Sequence, residues 1–166
     1  FSSPRDGFRG KNQRGVIQVK NSSSLNPAKT ALTVAAWVKP EKGNGAIAAR
    51  GGHVHGYALY LKNGKPHFAL RVEKQAQSVT ADRKLTMGSW THLAGMVTAD
   101  RKLKLYINGK LAATDTTSGL VAGNPAEPMQ IGADQKTQVG HYSGSMPFNG
   151  AIDEMRIYSC ALGSDA

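Results

Sequence analysis

The stretch FNGAIDEMRIYSCAL, residues 148–162, sets two adjacent carboxylates, Asp153 and Glu154, inside a run that otherwise favours a β-strand. Such a pair suggests three chemistries: acid–base catalysis, cation ligation, or a purely structural tie. Glycoside hydrolysis needs two carboxyl groups about 5–9 Å apart across a sugar. Neighbours on a strand point to opposite faces, so Asp153 and Glu154 are not that pair. The remaining carboxylates stand singly, at Asp6, Glu41, Glu73, Asp82, Asp100, Asp115, Glu127, Asp134 and Asp165. The chain has no E-x-D-x-x-E row and no G-x-S-x-G, and its one cysteine, Cys160, has no base beside it in sequence. The expectation is that the chain is not an enzyme, and that any catalytic activity lies in another domain of a parent protein. Asp153 shares strand parity with Met155 and Ile157, so it is expected to lean toward the core. An inward carboxylate must be paired, hydrogen-bonded or bound to a cation. Ca²⁺ with backbone carbonyls suits it, and so do backbone N–H groups or Arg156.

The aromatic and basic side chains suggest recognition. If Asn63-Gly64 forms a two-residue type I′ turn, Tyr60 faces His67, Ala58 faces Ala69 and Gly56 faces Arg71. Leu59, Leu61, Phe68, Leu70 and Val72 then face the core. On the outer face, Tyr60 and His67 at one end and Arg71 at the other flank a low floor of Gly56, Ala58 and Ala69. That face is either a shallow groove or an ordinary solvent surface. His53 and His55 in "HVH" share one side of an extended segment, but two imidazoles do not define a zinc site. Tyr57, Tyr60, Tyr142, His53 and His55 are read as lying in or beside loops, suited to stacking on sugars. Trp37 and Trp90 are read as core residues. "GNGAIA" (43–48) lacks the following helix of a phosphate loop and is set aside.

The elements that must position these groups are strands. Segments 15–19, 32–40, 56–61, 66–72, 77–81, 90–98, 102–107, 110–116, 128–133 and 151–158 are short and β-rich, separated by Gly, Asn, Asp and Pro clusters. No sustained helical period occurs, and "NSSSLNPAK" (21–29) reads as a polar loop with one helical turn. The pattern predicts an all-β, two-sheet antiparallel β-sandwich of jelly-roll type. The 166 residues suffice for one domain, residues 1–166, read as excised from a larger secreted protein. The net charge of +10 is uneven. Residues 1–110 hold 19 Lys/Arg and 5 Asp/Glu (+14), and residues 111–166 hold 2 and 6 (−4). That bias favours an anionic partner or only a soluble basic surface.

Together "LTVAAWVKP", "GYALYLKNGK", "WTHLAGMVTADRKLKLYINGKLAA", "PMQIGA" and "FNGAIDEMRIYSCAL" resemble the laminin G-like, concanavalin A-like lectin/glucanase domain of bacterial secreted proteins, from about Phe8 to Leu162. The resemblance implies two antiparallel sheets in a jelly roll, a secreted, extracellular or periplasmic location, and a non-catalytic module attached to a carbohydrate-active enzyme or sulfatase. It also implies a structural Ca²⁺ at Asp153 with the early turn "FRGKN" (8–12), where Gly10 and Asn12 would supply oxygens. Arg9 stands where the family commonly has Asp. The expected ligand is an acidic, sulfated or uronic polysaccharide, met by Arg50, His53, His55, Tyr57, Tyr60, His67, Arg71, His141 and Tyr142. The alternatives are a structural or protein-interaction domain without glycan binding and, ranked below it, a glycoside hydrolase. No motif supports specific nucleic-acid binding, and no segment suggests a membrane span.

Overall fold

Two Asn-Gly turns set the registers of the hairpins. In the computed structural model, which describes residues 8–9 and 15–163, Asn63 and Gly64 have φ of 53° and 79°, and Asn108 and Gly109 have 50° and 75°. These are the two successive left-handed residues that a type I′ turn requires. The first sheet runs in the order β1 (Phe8–Arg9), β12 (Gly150–Tyr158), β3 (Leu32–Pro40), β8 (Thr91–Val97), β9 (Lys102–Ile107), β10 (Lys110–Thr116). The second runs β2 (Ile17–Val19), β11 (Met129–Ile131), β4 (Gly45–Gly51), β5 (Gly56–Lys62), β6 (Lys65–Val72), β7 (Gln75–Thr80). All pairings are antiparallel. The predicted sandwich is the fold. Ser23–Leu25 forms a short 3-10 turn in the polar loop, capped by the Ser22 side chain.

The core lies between the sheets. Val34, Ala36 and Val38 of β3, Leu93 of β8, and Leu103, Leu105 and Ile107 of β9 meet Leu59, Leu61, Phe68 and Leu70 of the second sheet. Gly95 must lack a side chain, because a Cβ there would collide with the Phe68 ring. Each such large apolar side chain contributes about 1.5–3 kcal/mol by leaving water. The registers Gly56↔Arg71, Ala58↔Ala69, Tyr60↔His67 and Lys62↔Lys65 are those the Asn63-Gly64 turn predicts.

Three features depart from the sequence reading. β4 (Gly45–Gly51) lies outside the segments that the sequence pattern assigns to strands. It is buried at every position, so its Gly/Ala-rich sequence shows no alternation of polar and apolar residues. Second, β12 carries a bulge between Asp153 and Arg156, with Glu154 at φ 47°. The extra residue breaks the period of two. Ile152 pairs with Val38 and lies in the core, whereas Asp153 pairs with Trp37, which shares the outer face of β3. Asp153 therefore faces outward, contrary to the parity argument. Third, neither Trp37 nor Trp90 belongs to the core. Both are half-buried, and Trp37 packs edge-on against His92, with ring centroids 5.4 Å apart.

Candidate functional site

The outer face of the second sheet holds the expected groove residues, but the chain itself fills it. Ala49, Ala58 and Ala69 form the low floor, and the segment 133–149 folds down onto it. Val139 is fully buried there, with Tyr142 and Met146 packed alongside. Tyr60 is fully buried, stacked on His67 with centroids 4.7 Å apart and met edge-on by Tyr142, also at 4.7 Å. Arg71 donates from Nε to the Val139 carbonyl (3.0 Å), from Nη2 to the Gln138 carbonyl (3.1 Å) and from Nη1 to the Lys74 carbonyl (3.0 Å). The guanidinium is thus a clamp on the chain's own loop.

A buried carboxyl anchors the same loop from within. Asp134 accepts from the Tyr142 hydroxyl (2.5 Å) and the Val139 N–H (3.2 Å). Burial pushes the Asp134 carboxyl up and the Tyr142 phenol up, keeping the phenol a donor. Burial also holds His67 down at about 4, with Lys62 nearby adding to the effect, so the ring is neutral at pH 7. Its Nδ1 shares a 2.8 Å hydrogen bond with Thr80 Oγ1. His141 is exposed, and its carbonyl accepts from Lys62 Nζ.

Two of the three expected stacking tyrosines are therefore not surface rings, while Tyr142 is partly buried. Tyr57, like Tyr60, is fully buried. Its parity with Leu59 and Leu61 puts it in the core, where its hydroxyl donates to the Leu25 carbonyl (3.4 Å) and burial pushes its pKa up to about 12.

Arg50, His53 and His55 gather at one end of the sandwich. His53 and His55 border a depression of about 280 Å³ with Glu127 and Thr137. A second depression, also about 280 Å³, is bordered by Arg50, Asn21, Ser22, Ser23 and Asn26. The two share Asn124, Pro125 and Ala126.

The open sheet face lies on the other side of the molecule. Arg156 of β12, Ala35 of β3, Ala94 of β8 and Tyr106 of β9 are aligned across the first sheet. Strands about 4.8 Å apart put Arg156 and Tyr106 about 14 Å from each other. Between them the two alanines floor a slot of about 180 Å³, bordered also by His92, Met96, Glu154 and Tyr158. Glu154 pairs with Arg156 at 3.2 Å. The C-terminal segment closes one end: Thr33 Oγ1 donates to the Cys160 carbonyl (2.8 Å) and Leu162 N donates to Thr33 Oγ1 (3.3 Å). A small floor between a ring and a guanidinium was the pattern expected of the second sheet. It occurs open on the first. The parity of Ala35, Ala94 and Tyr106 was readable in the sequence, but the bulge hid that Arg156 joins them.

The expected calcium ligands Gly10 and Asn12 lie outside the described residues, as does the Arg9 side chain. Asp153 Oδ1 accepts the Glu154 N–H at 2.8 Å. Among the described residues no group of three His, Cys, Asp or Glu could hold a metal ion. Among them, too, no helix is long and apolar enough to cross a membrane.

Two six-stranded antiparallel sheets, one bearing an aromatic-lined slot, define a concanavalin A-like sandwich. The sequence matches Laminin_G_3, the concanavalin A-like lectin/glucanases superfamily, over residues 11–166, and the chain belongs to that family. No curated protein sequence matches it. Its fold is similar to the native heptameric SAP-like pentraxin from Limulus polyphemus (TM-score 0.68, 18% identity, covering 95% of this chain and 76% of that one). It is also similar to the binding domain of Paraclostridial Mosquitocidal Protein 1 (TM-score 0.72, 16% identity, 93% and 40%). A third similar structure is the Ruminococcus gnavus IT-sialidase CBM40 bound to alpha2,3 sialyllactose (TM-score 0.67, 17% identity, 90% and 92%). At these identities the likeness is one of fold.

Proposed function

We propose that the chain is a non-catalytic carbohydrate-binding module. Its favoured ligand is an acidic polysaccharide, sulfated or uronic, and its setting is a secreted protein with a carbohydrate-active or sulfatase domain. The slot between Tyr106 and Arg156 carries the reading. A tyrosine face suits the apolar C–H face of a sugar, and a guanidinium suits its carboxylate or sulfate. The net charge of +10 supports an anionic ligand, and the sialyllactose bound by the CBM40 relative supports a glycan. A second reading, a protein-interaction domain, is favoured by Leu111, which is 53% exposed and pairs with Tyr106 on the same face.

Affinity electrophoresis over neutral and acidic polysaccharides tests the first reading, at low and high salt and with calcium or chelator. Retention by one acidic glycan that survives salt, and is weakened in both Tyr106→Ala and Arg156→Ala, supports it. Unchanged retention in both variants overturns the slot. No retention by any glycan moves the protein-interaction reading forward. The chelator arm separately tests the calcium expected at Asp153.

A further inference from the structure

Arg50 is only 2% exposed and makes no ion pair among the described residues. Its partner in register, Tyr57, lies in the core, so β4 aims the guanidinium into the end of the sandwich. There it meets neutral amides. Nη1 donates to Asn21 Oδ1 (3.2 Å) and Nη2 to Asn26 Oδ1 (2.7 Å), while Nε has no partner. A desolvated guanidinium is normally met by an acid, because burying an uncompensated charge is costly. Glu127, bordering the adjoining depression, is engaged with Thr137 Oγ1 and the Thr137 N–H. Among the described residues two buried side-chain polar atoms lack partners, Arg50 Nε and His55 Nδ1. They belong to residues that border the two depressions sharing Asn124, Pro125 and Ala126 at this one end.

We infer that this end is a second binding site, in which Arg50 receives an oxyanion carried on a sugar, a carboxylate or a sulfate ester. The counter-charge that the described residues do not supply comes from the ligand. Asn21, Ser22, Ser23 and Asn124 border the same depression and suit the hydroxyls of the sugar ring. The loops at 21–26 and 124–127 frame it, away from the slot on the first sheet. The anion site stands on Arg50's own surroundings. Only the sugar carrier rests on the carbohydrate-binding reading.

The test follows the Arg50 Nε–H resonance by NMR while glucuronate, glucose 6-sulfate or glucose is added to the whole chain. A saturable shift with glucuronate or with the sulfate ester, and none with glucose, is the expected result, and it says which oxyanion is taken. Asn26→Asp is nearly isosteric and sets a carboxylate against Nη2. It is expected to raise the melting temperature of the free protein and to weaken acidic-sugar binding about tenfold or more. Tyr106→Ala, at the slot, leaves the Arg50 response intact, so failure of the slot is distinguishable from failure here. No shift with either acidic sugar, an equal shift with glucose, or wild-type binding by Asn26→Asp would overturn the inference.

Discussion

His67 shows how one residue ties stability to pH. Its ring is stacked on Tyr60 and held down to about 4, first by burial and then by Lys62, with His141 and Lys65 adding to the effect. An unfolded histidine titrates near 6.5, so between about 6.5 and 4 the unfolded chain binds the extra proton and the folded chain does not. The contribution of His67 is therefore whole above pH 6.5 and is lost as pH falls toward 4. The melting temperature should fall across that window, and His67→Gln should flatten the fall. An NMR titration giving an ordinary histidine value for His67 would refute this. Asp134 acts with the opposite sign. Its carboxyl is pushed up by burial, so the folded chain holds the proton longer than the unfolded chain does, and its contribution fades as pH rises above the ordinary carboxylate range. Asp134→Asn should remove that component from the pH profile.

At the scale of elements, the loop 133–149 and the β12 bulge each hang on identifiable groups. Arg71→Met removes three charge-assisted hydrogen bonds to carbonyls of loop and turn. It should cost about 2–3 kcal/mol in chemical denaturation and speed amide exchange at Val139. Glu154 holds a left-handed φ of 47°, which strains any residue with a Cβ. Glu154→Gly should be stability-neutral or better despite losing the Arg156 pair, whereas Glu154→Val should destabilise. Most of the strand layout was legible in advance, because the Asn-Gly turns fix registers and side-chain alternation fixes faces. β4 was not, since a strand covered on both sides alternates nothing. The site was legible in kind but not in place. A local pattern shows a small floor between ring and cation, but not that residues seventy positions later will cover it. Nor does sequence parity survive a bulge, which is why Asp153 faces outward and Arg156 joins the slot.

On the scale of the whole molecule, the charge of +10 predicts how binding responds to salt. A purely electrostatic field should release every polyanion alike at about 0.5 M salt, where screening extends only a few ångströms. Contacts in the slot and at Arg50 should persist for one class of acidic glycan. A retention series over rising salt separates the two, and uniform release would leave only the field. The way the second sheet is sealed has a further consequence, for how freely the sequence can drift. Arg71 reaches the main chain of 138 and 139, and a carbonyl is the same whatever side chain it carries. Positions such as Gln138 can therefore change identity while the flap stays fastened. Gly140, where a Cβ would strike the rings of Tyr60 and Tyr142, cannot. A library randomised across 135–145 should thus recover many folded chains, nearly all keeping glycine at 140 and small or aliphatic residues at 139.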